Sequence, residues 1–194
     1  MTEPHFCRVA LTGTPGTGKS AVSRELKTRY GKDLPGLKVQ EVSALALQKR
    51  LGRRVARGNS RAVVEVDMER LSRLLLLEPE EGTPSLLVGH LSHLLPVDAI
   101  LLLRCRPDVL QGRLQRRRGT LAERLENVET ERIDLILWES LQTGKPVFEH
   151  DTSREKVQDT ARWVRRVLLG QKAPIHGIVN WLREDPPVGR GGLA

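Results

Sequence analysis

Short apolar runs alternate along the chain with longer stretches in which apolar residues recur every three or four positions. The short runs predict strands, and they occupy residues 6–11, 37–42, 85–88, 99–103 and 146–149. The third and fourth runs are essentially apolar, which is typical of strands buried on both faces of a parallel sheet. The alternation predicts an α/β protein with helices on both faces of the sheet and a ligand crevice at the carboxyl ends of the strands.

The periodic stretches predict helices between these strands. The first helix carries its apolar residues on one face and ends at Gly31. A single longer amphipathic segment is predicted from residue 121 to residue 144. Predicted positions at helix starts are Ser43, Asp67 and Ser153 as N-caps and Pro107 in a first turn.

Residues 43–61 begin apolar and then become strongly basic. Gly52 and Gly58 weaken any helix in this stretch, so the sequence predicts a mobile insert that faces phosphate. The basic residues of the insert are Lys49, Arg50, Arg53, Arg54, Arg57 and Arg61.

Length and composition predict one compact domain. With 194 residues, of which 39% are hydrophobic, the chain is long enough to bury roughly 70% of its unfolded surface around a single core. No run approaches the roughly 18 apolar residues of a membrane span, and the first residues lack the basic start and apolar core of a signal peptide. The predicted location is therefore cytoplasmic.

Cys7 and Cys105 are the two cysteines of the chain. They are too few for a disulfide framework and lack the close spacing of a zinc site. Because they lie in strand-like runs, at opposite ends of two strands that are predicted to be neighbours, we expect two reduced and buried thiols.

The net charge is +8, and arginine outnumbers lysine 24 to 8. A guanidinium group pairs with phosphate through two parallel hydrogen bonds and keeps its charge at any physiological pH. The composition therefore indicates a polyanionic partner, but it is equally typical of the solvated surface of a heat-adapted protein. Composition alone leaves both interpretations open.

The most specific motif is Gly-Thr-Pro-Gly-Thr-Gly-Lys-Ser at positions 13–20, between a predicted strand and a predicted helix. In this context such a segment forms a phosphate-binding P-loop. Gly16 and Gly18 let backbone N–H groups surround an anion, and the helix N-terminus adds its positive end. Lys19 is predicted to reach the β- and γ-phosphates of ATP, and Ser20 to bind Mg²⁺ through its hydroxyl group.

Two other classes of P-loop protein lack support in the sequence. The Asn-Lys-x-Asp box by which small GTPases recognise guanine is absent. An AAA-type ATPase needs an apolar strand that ends in Asp-Glu, which this sequence does not have, and the chain is too short for a helical lid domain of that class.

Further motifs accompany the P-loop in a specific order. They are Pro15 inside the loop, Asp67-Met68-Glu69, Gly89-His90 with Pro96, Arg118-Gly119, and residues 126–131. From about residue 6 to residue 169, the chain resembles the adenylate-kinase-like NTPases of archaea and eukaryotic nuclei, a family that also acts in assembly of the small ribosomal subunit.

The resemblance implies a P-loop NTPase domain over residues 1–170, with a five-stranded parallel sheet of order 2-3-1-4-5. It implies a segment near 41–66 that binds the nucleoside monophosphate and a lid near 117–127. Residues 171–194 are then a C-terminal tail, whose end, rich in proline and glycine, we expect to be mostly disordered.

The resemblance also implies a reaction. The chain would transfer a phosphoryl group from ATP, with Mg²⁺, to a nucleoside monophosphate, chiefly AMP. An associated ATPase activity would accompany transient binding of a small-subunit ribosomal protein and pre-ribosomal RNA. A membrane partner is not expected.

Carried over by position, the resemblance implies two overlapping sets of site residues. The implied ATP-binding residues are Gly16, Gly18, Lys19, Ser20, Ala21 and Arg118. The implied catalytic residues are Lys19, His90 and Arg118, and His93 is a weaker candidate than His90. Without the resemblance, a histidine after a strand is more often bonded to backbone than catalytic, and the arginines at 113–118 are also typical of a solvated helix end.

Two positions depart from the family pattern. Val88 stands where relatives usually carry an acidic residue that organises Mg²⁺ and water, and Leu47 lies near the place of an arginine that reaches the monophosphate. Asp67 could replace the acid, but it is at least as well suited to cap a helix. The candidate monophosphate-binding residues are Arg50, Arg53, Arg54 and Asp67.

Three functional hypotheses therefore stay open. A nucleoside monophosphate kinase leads, because phosphoryl transfer depends on positioning and charge, which survive the loss of one acid. The alternatives are an ATP-hydrolysing switch in ribosome assembly and a nucleotide-gated binding factor with little turnover. Trp163 and Trp181, near basic residues, could stack on RNA, although packing of Trp163 and docking of the tail by Trp181 are the more frequent roles.

Overall fold

The computed structural model describes residues 6–56, 62–78, 84–117 and 119–184. The strands are β1 (Arg8–Thr12), β2 (Lys38–Glu41), β3 (Gly52–Val55), β4 (Val63–Val66), β5 (Ser85–Val88), β6 (Ala99–Arg104) and β7 (Val147–Asp151). The helices are α1 (Lys19–Tyr30), α2 (Val42–Gln48), α3 (Met68–Leu77), α4 (Pro107–Gln115), α5 (Leu121–Arg132), α6 (Leu135–Gln142), α7 (Val157–Leu168) and α8 (Trp181–Glu184). A short 3-10 helix covers Ser92–Leu94.

A parallel sheet with strand order β2-β5-β1-β6-β7 forms the centre of the fold. Numbered among themselves, its five strands have the order 2-3-1-4-5, so the predicted P-loop NTPase architecture is confirmed. In the central strand β1, Leu11 is paired with Val88 of β5 and Leu101 of β6. The carboxyl ends of these strands meet at one edge, where the P-loop begins.

The central strands β1, β5 and β6 are buried almost throughout, as their apolar runs predict. Along β1, Val9 and Leu11 face a cluster that includes residues of α1 and α7. Ala10, between them, faces a second cluster that includes residues of α2, α3 and α6. β6 alternates in the same way from Ala99 to Leu103. Because both faces are packed, the strand ends that carry the site are held in place.

In the part that the structure describes, the basic insert forms a helix and a hairpin, and its mobility stays a prediction. After α2, strands β3 and β4 pair antiparallel, with Gly52 opposite Val66. A Cβ atom at position 52 would lie 3.1 Å from the Cβ atom of Ala46, so glycine allows the hairpin to approach α2 closely. The predicted phosphate-facing residues Arg57 and Arg61 lie outside the described residues.

Two predicted helix caps are wrong. The N-cap of α2 is Glu41, so Ser43 lies inside the helix. The N-cap of α7 is Lys156, and the hydroxyl oxygen of Ser153 instead accepts the backbone N–H of Arg106 at 2.7 Å. The serine therefore joins the segment after β7 to the segment after β6.

The predicted long amphipathic segment consists of two helices. Asp134 has a φ angle of 57° and separates α5 from α6. A left-handed residue of this kind ends a helix, and the hydrophobic period does not reveal it. The start of α5 is fixed by a capping box between Thr120 and Glu123. As predicted, Pro107 opens α4.

The two cysteines form no disulfide bond with each other, and their environments differ. Cys105 is buried, as predicted, and its burial raises the pKa of the thiol to about 11. Cys7 is exposed, so the prediction of burial was wrong for this residue. It lies just before β1, at the rim of the sheet rather than inside it.

The described part of the tail packs onto the sheet. Ile175 forms a parallel bridge with Phe148 of β7, and its carbonyl oxygen accepts the backbone N–H of Glu149 at 2.8 Å. Trp181, in α8, is only 2% exposed. The rest of the tail, for which we expected disorder, lies outside the described residues from 185 onward. None of the helices that the structure describes has the length and apolar character needed to cross a membrane.

Candidate active site

The P-loop connects β1 to α1 through glycines in the left-handed region. Gly13, Gly16 and Gly18 have φ angles of 133°, 107° and 105°, which residues with a side chain rarely adopt. A Cβ atom at position 13 would lie 2.3 Å from the carbonyl oxygen of Leu103, and one at position 16 would lie 2.5 Å from Cδ1 of Leu110. The loop is therefore packed tightly against β6 and α4.

The amine of Lys19 is held within this loop. Its Nζ atom donates to two P-loop carbonyl oxygens, at 2.5 and 3.0 Å. Burial lowers the pKa of Lys19 to about 8; Glu131 opposes this shift, Arg117 adds to it, and Glu41 opposes it. A phosphate bound at the loop would favour the charged ammonium form, because its negative charge offsets the loss of hydration on burial.

Glu131 lies behind the P-loop, in a buried ionic network. One of its carboxylate oxygens accepts the hydroxyl of Thr14 in the P-loop at 2.5 Å, and the other accepts the Nε–H of Arg104 at 2.7 Å. Arg104, which is 1% exposed, also pairs with Glu149 at 2.6 Å and with Asp134. Burial works against the charge of Arg104, but these carboxylates raise its pKa overall. The network therefore fixes the loop to β6 and α5.

A cavity of about 440 Å³ lies between the P-loop and the end of α4, and we call it the arginine-side cavity. Its charged and polar lining includes Arg113, Arg116, Arg117, Thr152 and Glu155. Arg113 donates to the hydroxyl and carbonyl oxygens of Thr152, at 3.1 and 2.6 Å, so its guanidinium group is held in place.

A second cavity of about 440 Å³ lies on the other side of the loop, beside the hairpin of β3 and β4. We call it the hairpin-side cavity. Its polar lining includes Lys19, Ser20, Glu41, Glu65 and His90. Gly16, Gly18 and Arg117 line both cavities, so the two meet at the P-loop.

Most of the predicted P-loop residues lie where the two cavities meet. Gly16, Gly18, Lys19 and Ser20 line one cavity or both, and Ala21 follows them in the first turn of α1. Arg118, predicted as both catalytic and ATP-binding, lies outside the described residues. Its neighbour Arg117 lines both cavities, which the family pattern alone did not single out.

The two candidate histidines have different environments. His90 lines the hairpin-side cavity, and its pKa is lowered by partial removal from water, then by the charge of Lys19 and by His93. This shift favours the neutral imidazole, which can accept a proton. His93 is buried between Thr12 and Glu139, at 3.0 Å from each, so it supports the loop instead of facing the cavity.

The candidate monophosphate-binding arginines do not line the hairpin-side cavity in the part that the structure describes. Arg53 pairs with Glu65 at 2.8 Å and is largely exposed, and Arg50 and Arg54 are exposed as well. Asp67 also lies off the cavity, because its side chain caps α3 by accepting the backbone N–H of Arg70 at 3.0 Å. These four residues are not brought together around one ligand.

The cavity chemistry fits Mg²⁺ bound to a nucleotide. Across the described residues, no group of three or more His, Cys, Asp and Glu side chains is arranged to hold a metal ion. Mg²⁺ does not require such a group, since it keeps several waters and is held by phosphates and one or two carboxylates. Ser20 and Glu41 supply a hydroxyl and a carboxylate to the hairpin-side cavity.

The two tryptophans that were considered for stacking on RNA, Trp163 and Trp181, have packing roles. The indole N–H of Trp181 donates to Glu131 at 3.2 Å, and its ring lies 5.8 Å from the guanidinium carbon of Arg104. Trp163 stacks on His150 with ring centroids 4.3 Å apart. Because Trp181 is buried in the network behind the P-loop, stacking on RNA is excluded for it in this structure, and docking of the tail is its observed role.

Glu41 and Glu131 were the site residues that the sequence did not single out. Glu131 is the last residue of the recognised segment 126–131, but nothing in its neighbours indicates that it reaches the P-loop. Glu41 stands near the carboxyl end of a predicted strand, which is the edge where ligands bind in such folds, and this signal could have identified it.

Comparison with known proteins agrees with the fold and the P-loop. A family model described as an AAA domain matches residues 9–134. This match corrects the exclusion of AAA-type proteins at the level of the domain family, although the chain lacks a strand ending in Asp-Glu. A sugar kinase from Janibacter sp. HTCC2649 matches 84% of this chain and 94% of its own, with a TM-score of 0.54 and 15% identity. Shikimate kinase from Acinetobacter baumannii matches 88% and 96%, with a TM-score of 0.51 and 15% identity.

The fold and the loop thus define an α/β P-loop protein. Relatives in sequence show to which family of P-loop proteins the chain belongs. A protein of Archaeoglobus fulgidus is 36% identical over 180 residues, and one of Thermococcus onnurineus is 33% identical over 176 residues. Each match covers 91% of this chain and 92% of the relative, and both relatives bear the name "Putative adenylate kinase". The chain belongs to this adenylate-kinase-like NTPase family.

Proposed function

We propose that the chain is a nucleoside monophosphate kinase that transfers the γ-phosphoryl group of ATP to AMP and forms two molecules of ADP. The observation that carries the proposal is the meeting of two cavities at one P-loop. Phosphoryl transfer between two nucleotides needs a donor and an acceptor on opposite sides of the transferred group, roughly in line.

The arginine-side cavity is assigned to the base and ribose of ATP, and the hairpin-side cavity to the monophosphate. Arg117, which lines both, is placed to stabilise the negative charge that develops during transfer. Lys19 would bind the β- and γ-phosphates, and Ser20 would hold Mg²⁺, which neutralises phosphate charge when bound. The role of Arg118 stays a prediction from the resemblance.

The proposal is tested by incubating the protein with ATP, AMP and Mg²⁺ and measuring ADP. We expect Lys19→Ala to abolish ADP formation, because the lysine charge is lost where the phosphates bind. Lys27→Ala is the matched control, since Lys27 is exposed in the last turn of the same helix and lines neither cavity. Absence of ADP with the unaltered protein, or equal rates for both variants, would refute the kinase assignment.

An ATPase activity is a second candidate, favoured by the neutral His90 beside Lys19 in the hairpin-side cavity. Without an acceptor nucleotide, water could occupy the cavity and attack the γ-phosphate, with His90 accepting a proton. Phosphate release from ATP without AMP, compared between the unaltered protein and His90→Asn, tests this activity.

A role in small-subunit maturation rests on the family resemblance and on the net charge of +8, which suits a polyanionic partner. It requires nucleotide-dependent capture of a small-subunit ribosomal protein or of pre-ribosomal RNA. A pull-down with ATP, with ADP and without nucleotide tests it, and equal absence of both partners in all three states would count against it.

A further inference from the structure

The acidic residue expected two positions before His90 is replaced by Val88, which is buried at the end of β5. A carboxylate still lies next to this position. In the sheet register, Val88 is paired with Glu41 at the end of the neighbouring strand β2. Paired residues of parallel strands point to the same face, and neighbouring strands lie roughly 4.8 Å apart.

That face carries the phosphate site. Val88 belongs to the core cluster that contains Val22 of α1, the helix that begins with Lys19 and Ser20. Glu41 lines the hairpin-side cavity together with Lys19 and Ser20. The carboxylate therefore borders the same cavity as the phosphate-binding lysine and the serine hydroxyl.

No hydrogen bond or ion pair within the described residues accounts for the charged side chain of Glu41 at this position. It is the N-cap of α2, but its side chain makes no capping hydrogen bond. Among the residues that the structure describes, it has neither a hydrogen-bond nor an ion-pair partner. The other carboxylate of the cavity, Glu65, differs because it is paired with Arg53 at 2.8 Å.

We propose that Glu41 replaces the acid missing at position 88 and holds the hydrated Mg²⁺ of the bound ATP from the adjacent strand. Ser20 supplies the hydroxyl ligand, and the Glu41 carboxylate accepts hydrogen bonds from water on the ion, a contact that usually changes metal affinity by about 10-fold to 100-fold. This inference rests on the proposed binding of Mg²⁺ and ATP at the P-loop.

The test measures ATP affinity by calorimetry, with Mg²⁺ and with a chelator, for the unaltered protein, Glu41→Gln and Glu65→Gln. We expect Glu41→Gln to lose about tenfold in affinity with Mg²⁺. Without Mg²⁺ the same variant should bind ATP more tightly, since a negative charge near the phosphates is gone. Glu65→Gln should show neither change, because the Glu65 carboxylate is already engaged by Arg53.

If Glu41→Gln weakens ATP binding with Mg²⁺ and strengthens it without Mg²⁺, Glu41 holds the metal. A residue with only an electrostatic or structural role would change the affinity in the same direction in both conditions. Tighter binding by Glu41→Gln in both conditions, or weaker binding in both, overturns the inference. Binding of metal-free ATP shows that the variant is folded, and Glu41→Asp, which keeps the charge, should retain most of the Mg²⁺ effect.

The kinase proposal is judged by a separate measurement, the formation of ADP. If the unaltered protein forms ADP but Glu41→Gln changes ATP affinity in the same direction with and without Mg²⁺, the inference is refuted and the kinase proposal stays intact. If the affinity changes have opposite directions but no ADP forms, the kinase proposal is refuted and the inference about Glu41 stays intact.

Discussion

Lys19 combines the two requirements of a phosphate site, burial and positive charge, which oppose each other. Its pKa is about 8, lowered first by burial, so near pH 8 about half of the ligand-free molecules carry a neutral lysine. Glu131 and Glu41 favour the charged form, and Arg117 opposes it. ATP phosphates favour the charged form strongly, because an opposite charge raises the pKa of an amine.

Binding of ATP should therefore take up about half a proton at pH 8 and fewer protons at pH 7. ATP affinity should fall as the pH rises through 8, since the free protein must then gain a proton to bind. Calorimetry without Mg²⁺, in buffers of different ionisation enthalpy, measures the uptake. Lys27→Ala should retain it, whereas equal proton uptake by Lys19→Arg, which stays charged, would contradict the assignment.

Among the individual site residues, those of the P-loop were predicted well from the sequence, and those around the loop were predicted poorly. The loop motif is contiguous, so Gly16, Gly18, Lys19 and Ser20 follow from spacing alone. Glu131 reaches Thr14 across 117 positions of sequence, and only the packing of α5 against α4 and the loop establishes that contact. Asp67, by contrast, caps α3 as the local pattern indicates.

Among the elements, the end of α4 distinguishes its arginines by position. Arg116 lines only the arginine-side cavity, whereas Arg117 lines both cavities and lowers the pKa of Lys19. From the sequence, Arg113, Arg117 and Arg118 were expected to flank the turn where a catalytic arginine would lie, and the resemblance singled out Arg118. The geometry makes Arg117 the described arginine that is best placed to act on the transferred group.

We expect Arg117→Ala to lower kcat by about 10³-fold, the lower end of the effect of an arginine that stabilises a transferring phosphoryl group. Arg116→Ala should mainly raise KM for ATP, because it borders a single cavity. Steady-state kinetics of ADP formation separate kcat from KM. Equal losses of kcat in the two variants would mean that the end of α4 acts only through its total charge.

The hairpin was the element that sequence missed. Its strands β3 and β4 carry arginine, glutamate and glycine among their valines, so polarity concealed the alternation. Central strands were predicted correctly because both of their faces are apolar, and short apolar runs of this kind are typical of a buried parallel sheet. The hairpin depends instead on a close approach to α2 at Gly52, which is a tertiary contact.

For the whole molecule, the tail is part of the active-site support rather than an appendage. The backbone N–H of Ile178 donates to Glu149 at 2.9 Å, and Trp181 donates to Glu131 at 3.2 Å. Both carboxylates also bind Arg104, and Glu131 in turn accepts the P-loop hydroxyl of Thr14. A contiguous set of buried hydrogen bonds therefore joins the tail to the phosphate loop.

Substitutions at Trp181 should therefore reduce stability in two graded steps. Trp181→Phe keeps most of the packing and removes one hydrogen bond to a charged group, so we expect a loss of about 1.5–3 kcal/mol in the free energy of unfolding. Trp181→Ala also leaves a cavity and should cost about 3–5 kcal/mol. Urea unfolding measures both values.

Trp138→Phe is the matched control, because Trp138 is 60% exposed and its replacement should change stability by less than about 0.5 kcal/mol. If the tail also orders the loop through Glu131, Trp181→Phe should weaken ATP binding while Trp138→Phe does not. Loss of stability with unchanged ATP affinity would show that the tail supports the fold but not the phosphate site.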